Sequence, residues 1–165
     1  MSMIDHIRNV LPQLKFNYPG DKSWRISQPY GAKNTWDKWH IDTEGMWQPG
    51  QINGFGCHKG IDFAIPEGTP IQAICEGSCF KSDLQNPNDI KDGFGMRIWQ
   101  QFTFDNLTFS IFYAHLSLVQ ILPGNKISAK QEIALSGNTG HSTGAHLHLE
   151  LRDPLGQSHP IIFID

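Results

Sequence analysis

The stretch AHLHLELR, residues 145–152, alternates apolar and polar side chains along its whole length. Because a strand presents alternate side chains on opposite faces, this pattern predicts a strand with three leucines on one face. The other face carries two histidines, a glutamate and an arginine. Its imidazoles, His146 and His148, would stand about 7 Å apart along the strand, so both can engage one small site. We expect a core under the leucine face and a groove over the other.

The composition limits the possible folds and the possible classes of binding partner. The chain has 165 residues, of which 39% are apolar, which suits a single domain with one core. Thirteen Lys and Arg against 16 Asp and Glu give a formal charge of −3, so no nucleic-acid surface is indicated. No apolar run approaches the roughly 20 residues of a membrane helix, and we expect no membrane insertion. The N-terminus lacks the basic start and apolar block of a secretory signal, so we see no signal peptide.

The residue pattern predicts an all-β fold, mainly antiparallel, with a short N-terminal helix and long loops. Apolar residues at helical spacing predict the helix over 2–11, with Ser2 and Asp5 as a capping box. Sixteen glycines and ten prolines favour short strands joined by turns. DNL at 105–107 fits a hairpin turn. The predicted strands are 24–28, 60–65, 70–81, 95–104, 107–115, 131–136 and 145–151.

The segment 17–56 holds four of the five tryptophans and reads as a long ordered loop. Trp36, Trp39 and Trp47 either line a groove or pin the loop to the body of the domain. The three cysteines, Cys57, Cys75 and Cys79, are odd in number, which does not indicate a disulfide framework. We expect buried free thiols, since no second close cysteine pair is present to complete a zinc site.

Three motifs hold the residues with catalytic chemistry. HKGIDF places His58 and Asp62 four residues apart, YAHL ends an apolar run at His115, and HLH contributes His146 and His148. Two histidines and one carboxylate are the ligand set of an open catalytic zinc site. The remaining histidines are left for proton transfer, because unperturbed histidine titrates near pH 6.5. This set indicates a metal-assisted amide hydrolase, and no G-x-S-x-G motif competes with it.

The segments HKGIDF…GTPIQA, YAHL and SGNTGHSTGAHLHLELR resemble the lysostaphin-type, or LytM-like, peptidoglycan endopeptidases. These are zinc metallopeptidases with a duplicated-hybrid-motif β fold. Carried over position by position, the resemblance implies one Zn²⁺ per chain, held by His58, Asp62 and His148. It implies that His115 and His146 are the catalytic pair, without deciding which one is the general base.

The resemblance implies an enzyme that hydrolyses cross-links or stem peptides of bacterial peptidoglycan on the periplasmic or extracellular side. A phage or prophage lysin is one route that fits. We expect the chain to consist of a helix and lead-in segment over 1–25 and the zinc metallopeptidase catalytic domain over 26–165. The alternative is a non-catalytic zinc-binding wall module that activates another hydrolase, although all five inferred positions are occupied.

Long loops at 28–57 and 81–96 depart from the family pattern and would form groove walls, so the bond cleaved cannot be copied from a relative. Either Tyr30 or Tyr113 is a candidate oxyanion donor, and Asn34 is a weaker candidate for a plug over the metal. The sequence does not indicate which oligomeric state the protein adopts.

Overall fold

The structure, a computed structural model, describes residues 2–31, 40–41, 47–48 and 58–164. It contains one α-helix, a 3₁₀ turn and twelve strands within those ranges. In chain order they are α1 (Met3–Val10), the 3₁₀ turn (Leu11–Gln13), β1 (Arg25–Gln28), β2 (His40–Ile41), β3 (Trp47–Gln48), β4 (Ile61–Ala64), β5 (Pro70–Gln72), β6 (Gly77–Leu84), β7 (Met96–Phe104), β8 (Leu107–Val119), β9 (Lys126–Ile127), β10 (Glu132–Ser136), β11 (Leu147–Arg152) and β12 (Ser158–His159).

The N-terminal helix begins as its sequence predicts. The Ser2 hydroxyl accepts a hydrogen bond from the Asp5 amide, and the Asp5 carboxylate accepts one from the Ser2 amide, which completes the capping box. The helix gives way to the 3₁₀ turn that contains Pro12. His6 Nε2 lies 2.7 Å from the Asp105 carboxylate, which joins the helix to the hairpin between β7 and β8.

The main sheet has the order β1-β4-β11-β8-β7-β6-β9, with β10 beside β8 and β5, and with β12 beside β11. Every strand pairing in the described part of the chain is antiparallel. The turn between β7 and β8 places Asp105 and Asn106 at φ 48° and 61°, the conformation of a two-residue hairpin turn. The all-β prediction and the hairpin at 105–107 are confirmed.

Two strand predictions were wrong in extent. The predicted strand 70–81 is two strands, because β5 pairs with β10 whereas β6 pairs with β7 and β9, and the chain bends between them. The predicted strand 107–115 continues to Val119, because β8 changes partner and pairs with β10 beyond His115. The described strands also include β9 and β12, which the sequence pattern did not indicate.

The leucine face of β11 lies in the core, as its alternation predicts. Leu147, Leu149 and Leu151 are almost fully buried. On the opposite face, Asp62 of β4 and Ala114 of β8 pair with His148 across the two neighbouring strands. The sheet therefore separates an apolar core from the polar surface on which the candidate site is built.

The cysteines in the described ranges carry free thiols, as expected. Cys79 is buried and Cys75 is half-buried. Burial, with a smaller contribution from the neighbouring Glu76, raises the pKa of Cys75 to about 12, so its thiol stays protonated and unreactive near neutral pH. Cys57 lies outside the described residues.

Candidate metal centre and active site

Three side chains converge on one point at the polar face of the sheet. His58 Nε2 lies 3.0 Å from His148 Nδ1 and 3.1 Å from Asp62 Oδ1, and the last two atoms lie 2.8 Å apart. They form the group of potential metal ligands found in the described residues. These are the three positions at which the sequence predicts zinc ligands.

The strands and one backbone contact explain this convergence. Asp62 and His148 are direct partners in the pairing of β4 with β11, and side chains at paired positions lie side by side. His58 precedes β4, and its Nδ1 lies 3.1 Å from the Pro29 carbonyl. A hydrogen bond from Nδ1 to this carbonyl leaves the Nε2 lone pair directed at the cluster.

The His148 ring is enclosed on two sides. The Phe94 ring stacks on it at a centroid distance of 5.6 Å. A Cβ atom placed on Gly60 would lie 2.6 Å from Cε1 and 2.8 Å from Nε2 of His148, so only glycine leaves room for the ring. Gly60 belongs to the HKGIDF motif, which therefore supplies space for the ring as well as two of the side chains.

The charges in the cluster reinforce one another. Burial alone raises the pKa of Asp62, but hydrogen bonds from His148 and His58 outweigh burial and hold that pKa well below its usual value. Burial alone lowers the pKa of His148, but hydrogen bonds to Asp62 and Glu150 outweigh it and raise the pKa to about 9. The Asp62 carboxylate therefore stays ionised, as a metal ligand must be.

The donor set fits zinc. Ligand atoms at about 2.1 Å from a tetrahedral ion lie about 3.4 Å from one another, so the three atoms, now 2.8–3.1 Å apart, would have to separate slightly to bind such an ion. Two imidazole nitrogens and one carboxylate oxygen are the donors found in catalytic zinc sites, which keep one position open. His58, Asp62 and His148 supply these donor types.

His115 and His146 lie beside the cluster with their rings 4.5 Å apart. His115 Nδ1 is 2.8 Å from the Thr139 carbonyl, and His146 Nδ1 is 2.8 Å from the Gly144 carbonyl. With each Nδ1–H donated to a carbonyl, each Nε2 is the free nitrogen. His146 Nε2 lies 3.7 Å from the Asp62 carboxylate, so this nitrogen faces the cluster.

His115 reaches the site through an unusual backbone conformation. Strict alternation along β8 puts His115 on the same face as Tyr113, which pairs with Leu149 in the core. His115 has φ 61°, in the left-handed region that non-glycine residues seldom adopt. Its ring instead contacts His146 and His148 on the polar face. Burial and the adjacent His146 lower the pKa of His115 to about 4.

Neither tyrosine is placed to act as an oxyanion donor, which corrects that expectation. The Tyr113 hydroxyl is buried on the core side, where it accepts from the Ile74 amide at 3.0 Å and donates to Gln100 Oε1 at 2.9 Å. Tyr113 faces the core because the strand changes face only at His115, two residues later. The Tyr30 hydroxyl donates to the Ser158 carbonyl at 2.7 Å. Asn34, Trp36, Trp39 and the side chain of Trp47 lie outside the described residues.

The five site residues open onto a groove with a cavity of about 570 Å³. One wall is formed by residues 85–95, as expected for the 81–96 loop, packed against residues 138–144. Gly140 N donates to the Ile90 carbonyl at 2.6 Å, and His141 N donates to the Gly93 carbonyl at 2.7 Å. The other lining residues are Gln28, Gln85, Gly93, Phe94, His141, Ser142 and Thr143.

The sequence reasoning missed three residues that shape the site, namely Gly60, Phe94 and Glu150. Glu150 shares the polar face of β11 with His148, so its parity in AHLHLELR was a usable signal. Gly60 lies within the HKGIDF motif, but nothing in the motif itself indicates that this glycine packs against a ring. Phe94 comes from a loop with no periodicity, and no sequence signal points to it.

Comparison with known proteins identifies the family of the chain. The profile of Peptidase family M23 matches residues 56–161, well over half of the chain. The chain belongs to peptidase family M23. This M23 chain is 34% identical over 134 residues to the peptidoglycan DD-endopeptidase ShyA of Vibrio cholerae, an alignment that covers 81% of the chain and 26% of ShyA.

Solved structures of M23 catalytic domains share the fold. The catalytic domain of lysostaphin from Staphylococcus simulans matches with a TM-score of 0.62 and 26% identity, over 83% of this chain and 88% of that one. The catalytic domain of a mutant of the prophage-encoded M23 protein EnpA from Enterococcus faecalis matches with a TM-score of 0.64 and 26% identity, over 88% and 94% of the two chains.

The M23 chain spans about a quarter of the length of the curated relatives it matches. Within its described residues, no helix is both long enough and apolar enough to cross a membrane.

Proposed function

We propose that this M23 chain is a zinc-dependent endopeptidase that hydrolyses peptide bonds in the cross-links or stem peptides of bacterial peptidoglycan. One observation carries the proposal: the ligand atoms of His58, Asp62 and His148 converge beside His115 and His146 in an open groove. Similarity to the peptidoglycan DD-endopeptidase ShyA supports the class of substrate.

The proposed metal site holds one Zn²⁺ per chain through His58 Nε2, Asp62 Oδ1 and His148 Nδ1. The donor types support zinc over cations that prefer oxygen ligands alone. Zinc bound there supplies a Lewis acid that polarises a carbonyl oxygen and acidifies water. The chain's own residues orient the peptide and move the protons.

His115 and His146 carry the proton transfers in this proposal. Each ring is held by a carbonyl at Nδ1 and has Nε2 free, so one ring accepts a proton from water and a proton is returned to the leaving amine. The lowered pKa of His115 keeps this ring neutral at pH 7, with its lone pair available. Either ring fits the role of general base, and the ring that has taken up the proton at Nε2 can then donate a hydrogen bond to developing charge.

We also propose that residues 1–25 are a helix and lead-in segment attached to a catalytic domain over 26–165. Phe16 is buried and its ring meets Phe102 of β7 edge to face at 5.6 Å. This contact supports a lead-in segment that shares the core of the catalytic domain.

The proposed place of action is the cell wall, on the periplasmic or extracellular side, because peptidoglycan is found there. A lysin of phage or prophage origin is one route that fits, and the similarity to prophage-encoded EnpA is compatible with it. The groove walls, which include Gln85, Gly93 and Phe94, would select the peptide bond that is attacked.

The test measures bound metal and the loss of turbidity of purified cell walls, with and without a chelator. We expect about one zinc per chain, lysis that the chelator abolishes, and a loss of at least about 100-fold in His115→Ala with zinc retained. His6→Ala, a histidine outside the groove, is the matched control and should keep both properties.

Three results would contradict the proposal in whole or in part. Lysis by metal-free protein would exclude the metal mechanism. A protein that leaves walls intact but stimulates a second hydrolase would be the non-catalytic activator instead. Full activity of His115→Ala would remove that residue from the mechanism.

A further inference from the structure

A buried carboxylate stands behind the proposed metal ligand His148. Glu150 is 1% exposed, and its Oε2 lies 3.5 Å from His148 Nε2. This nitrogen is the one that does not face Asp62 and His58. Glu150 would therefore contact a ligand of the ion without contacting the ion itself.

The other oxygen of Glu150 is held by two donors. Glu150 Oε1 accepts from Arg152 Nε at 2.7 Å and from the Ser158 hydroxyl at 2.5 Å. The Arg152 guanidinium lies 4.3 Å from the centre of the Phe112 ring, which fixes its position. Ser158 is in β12, so the pairing of β11 with β12 delivers its hydroxyl to the carboxylate.

These contacts leave Oε2 directed at His148 alone among the described residues. The Gly60 backbone packs against the Cε1–Nε2 edge of the ring so closely that a single Cβ atom would not fit. The Gly60 backbone therefore covers this edge of the ring. Glu150 is the acceptor that the packing provides.

We propose that Glu150 is a positioning residue for the metal: it accepts the Nε2–H of His148 and so keeps the Nδ1 lone pair directed at the ion. This inference rests on the metal site of the proposed function. A carboxylate in this position fixes the tautomer and orientation of a ligating histidine and raises its basicity, and its loss costs about 10–100-fold in metal affinity.

The role extends to the β11–β12 hairpin. Because Arg152 and Ser158 hold Glu150, and the Ser158 carbonyl also accepts from Tyr30 at 2.7 Å, the hairpin fixes the metal ligand through the carboxylate. Loss of the Ser158 hydroxyl should weaken metal binding in the same direction as loss of the charge, by a smaller factor.

The experiment compares Zn²⁺ and Co²⁺ affinities by competition with a chromophoric chelator. Glu150→Gln keeps the size of the side chain but removes its charge, and we expect it to weaken binding by about 10–100-fold and to shift the Co²⁺ absorption bands. The matched control is Asp83→Asn, because Asp83 pairs with Arg97 and Lys81 away from the cluster. Its affinity should equal that of the unaltered protein.

Thermal unfolding of the chelator-treated variants separates positioning from a purely structural role. A structural role would lower the unfolding temperature of metal-free Glu150→Gln while leaving its metal affinity unchanged, and that result would overturn the inference. If Glu150→Gln does not fold, Ser158→Ala decides: unchanged affinity in this variant overturns the inference, and weakened affinity supports it. An unaltered protein that binds neither ion would instead overturn the proposed function itself.

Discussion

His148 Nδ1 and Asp62 Oδ1 lie 2.8 Å apart on strands that pair these two residues directly. This contact makes metal binding compete with a proton. Asp62 and Glu150 raise the pKa of His148 to about 9. Both nitrogens of this ring therefore carry a proton in the metal-free protein at pH 7. A metal ion needs the Nδ1 lone pair, so the proton must leave.

We therefore expect zinc uptake at pH 7 to release about one proton, with apparent affinity rising about tenfold per pH unit up to about pH 9. The apparent affinity rises with pH because the pKa of His148 is raised: lower pH favours the protonated ring and higher pH favours the metal. Calorimetry in buffers of different ionisation enthalpy measures the release. A binding heat that does not depend on the buffer would contradict the expectation.

Replacement of His115 should show that its backbone conformation costs stability. His115→Gly removes the ring and relieves the left-handed conformation at φ 61°, whereas His115→Ala removes the ring and keeps the conformation. We expect the free energy of unfolding of the glycine variant to exceed that of the alanine variant by about 1 kcal/mol. Both variants should bind zinc and lose hydrolysis.

Lys130, at φ 65° in an exposed turn, provides the matched control for His115. Lys130→Gly should be more stable than Lys130→Ala by a similar amount, with hydrolysis unaffected in both. Denaturant unfolding and wall lysis are measured on all four proteins. Equal stability of the two His115 variants would mean that this residue is not strained.

Gly60→Ala tests the close packing against the metal ligand. The added Cβ would lie 2.5 Å from the Leu149 carbonyl and 2.6 Å from His148 Cε1, so backbone and ring must shift. We expect a destabilisation of about 1–3 kcal/mol together with weaker zinc binding. Gly144→Ala is the control, because nothing lies within 4 Å of its added Cβ. Equal zinc affinities in the two variants would show that the ring tolerates the displacement.

Tyr113→Phe distinguishes a core role from an oxyanion role. The change leaves Gln100 Oε1 and the Ile74 amide without the hydroxyl that they contact, and we expect a loss of about 1–3 kcal/mol in unfolding free energy. The rate of hydrolysis by folded protein should be unchanged. Tyr18→Phe keeps the stacking of that half-buried ring on Phe163 and serves as the control. A large fall in kcat at unchanged stability would restore the oxyanion role.

The sequence predicted the parts of the fold that repeat with a fixed period. Alternation in AHLHLELR correctly placed the leucines in the core and His148 on the opposite face, because β11 is a regular strand. The same rule failed at His115, where one left-handed residue changes the face of the strand without ending it. The rule also merged β5 and β6, since the choice of strand partner is a tertiary property.

The convergence of His58, Asp62 and His148 came from a resemblance in the motifs, since spacing alone left open which histidine of HLH faces the cluster. The contacts that support these ligands could not be predicted from the sequence. Phe94 stacks on His148 from a loop that the sequence could describe only as long. Glu150 depends on Ser158, and β12 is too short to leave a periodic signal.

In the mechanism that we propose, His58, Asp62 and His148 share one zinc ion. The most direct measurement is anomalous X-ray diffraction at the zinc edge from crystals of the metal-loaded protein. We expect one anomalous peak about 2.1 Å from His58 Nε2, an Asp62 carboxylate oxygen and His148 Nδ1. Zinc bound elsewhere, or zinc that contacts fewer than these three side chains, would contradict it.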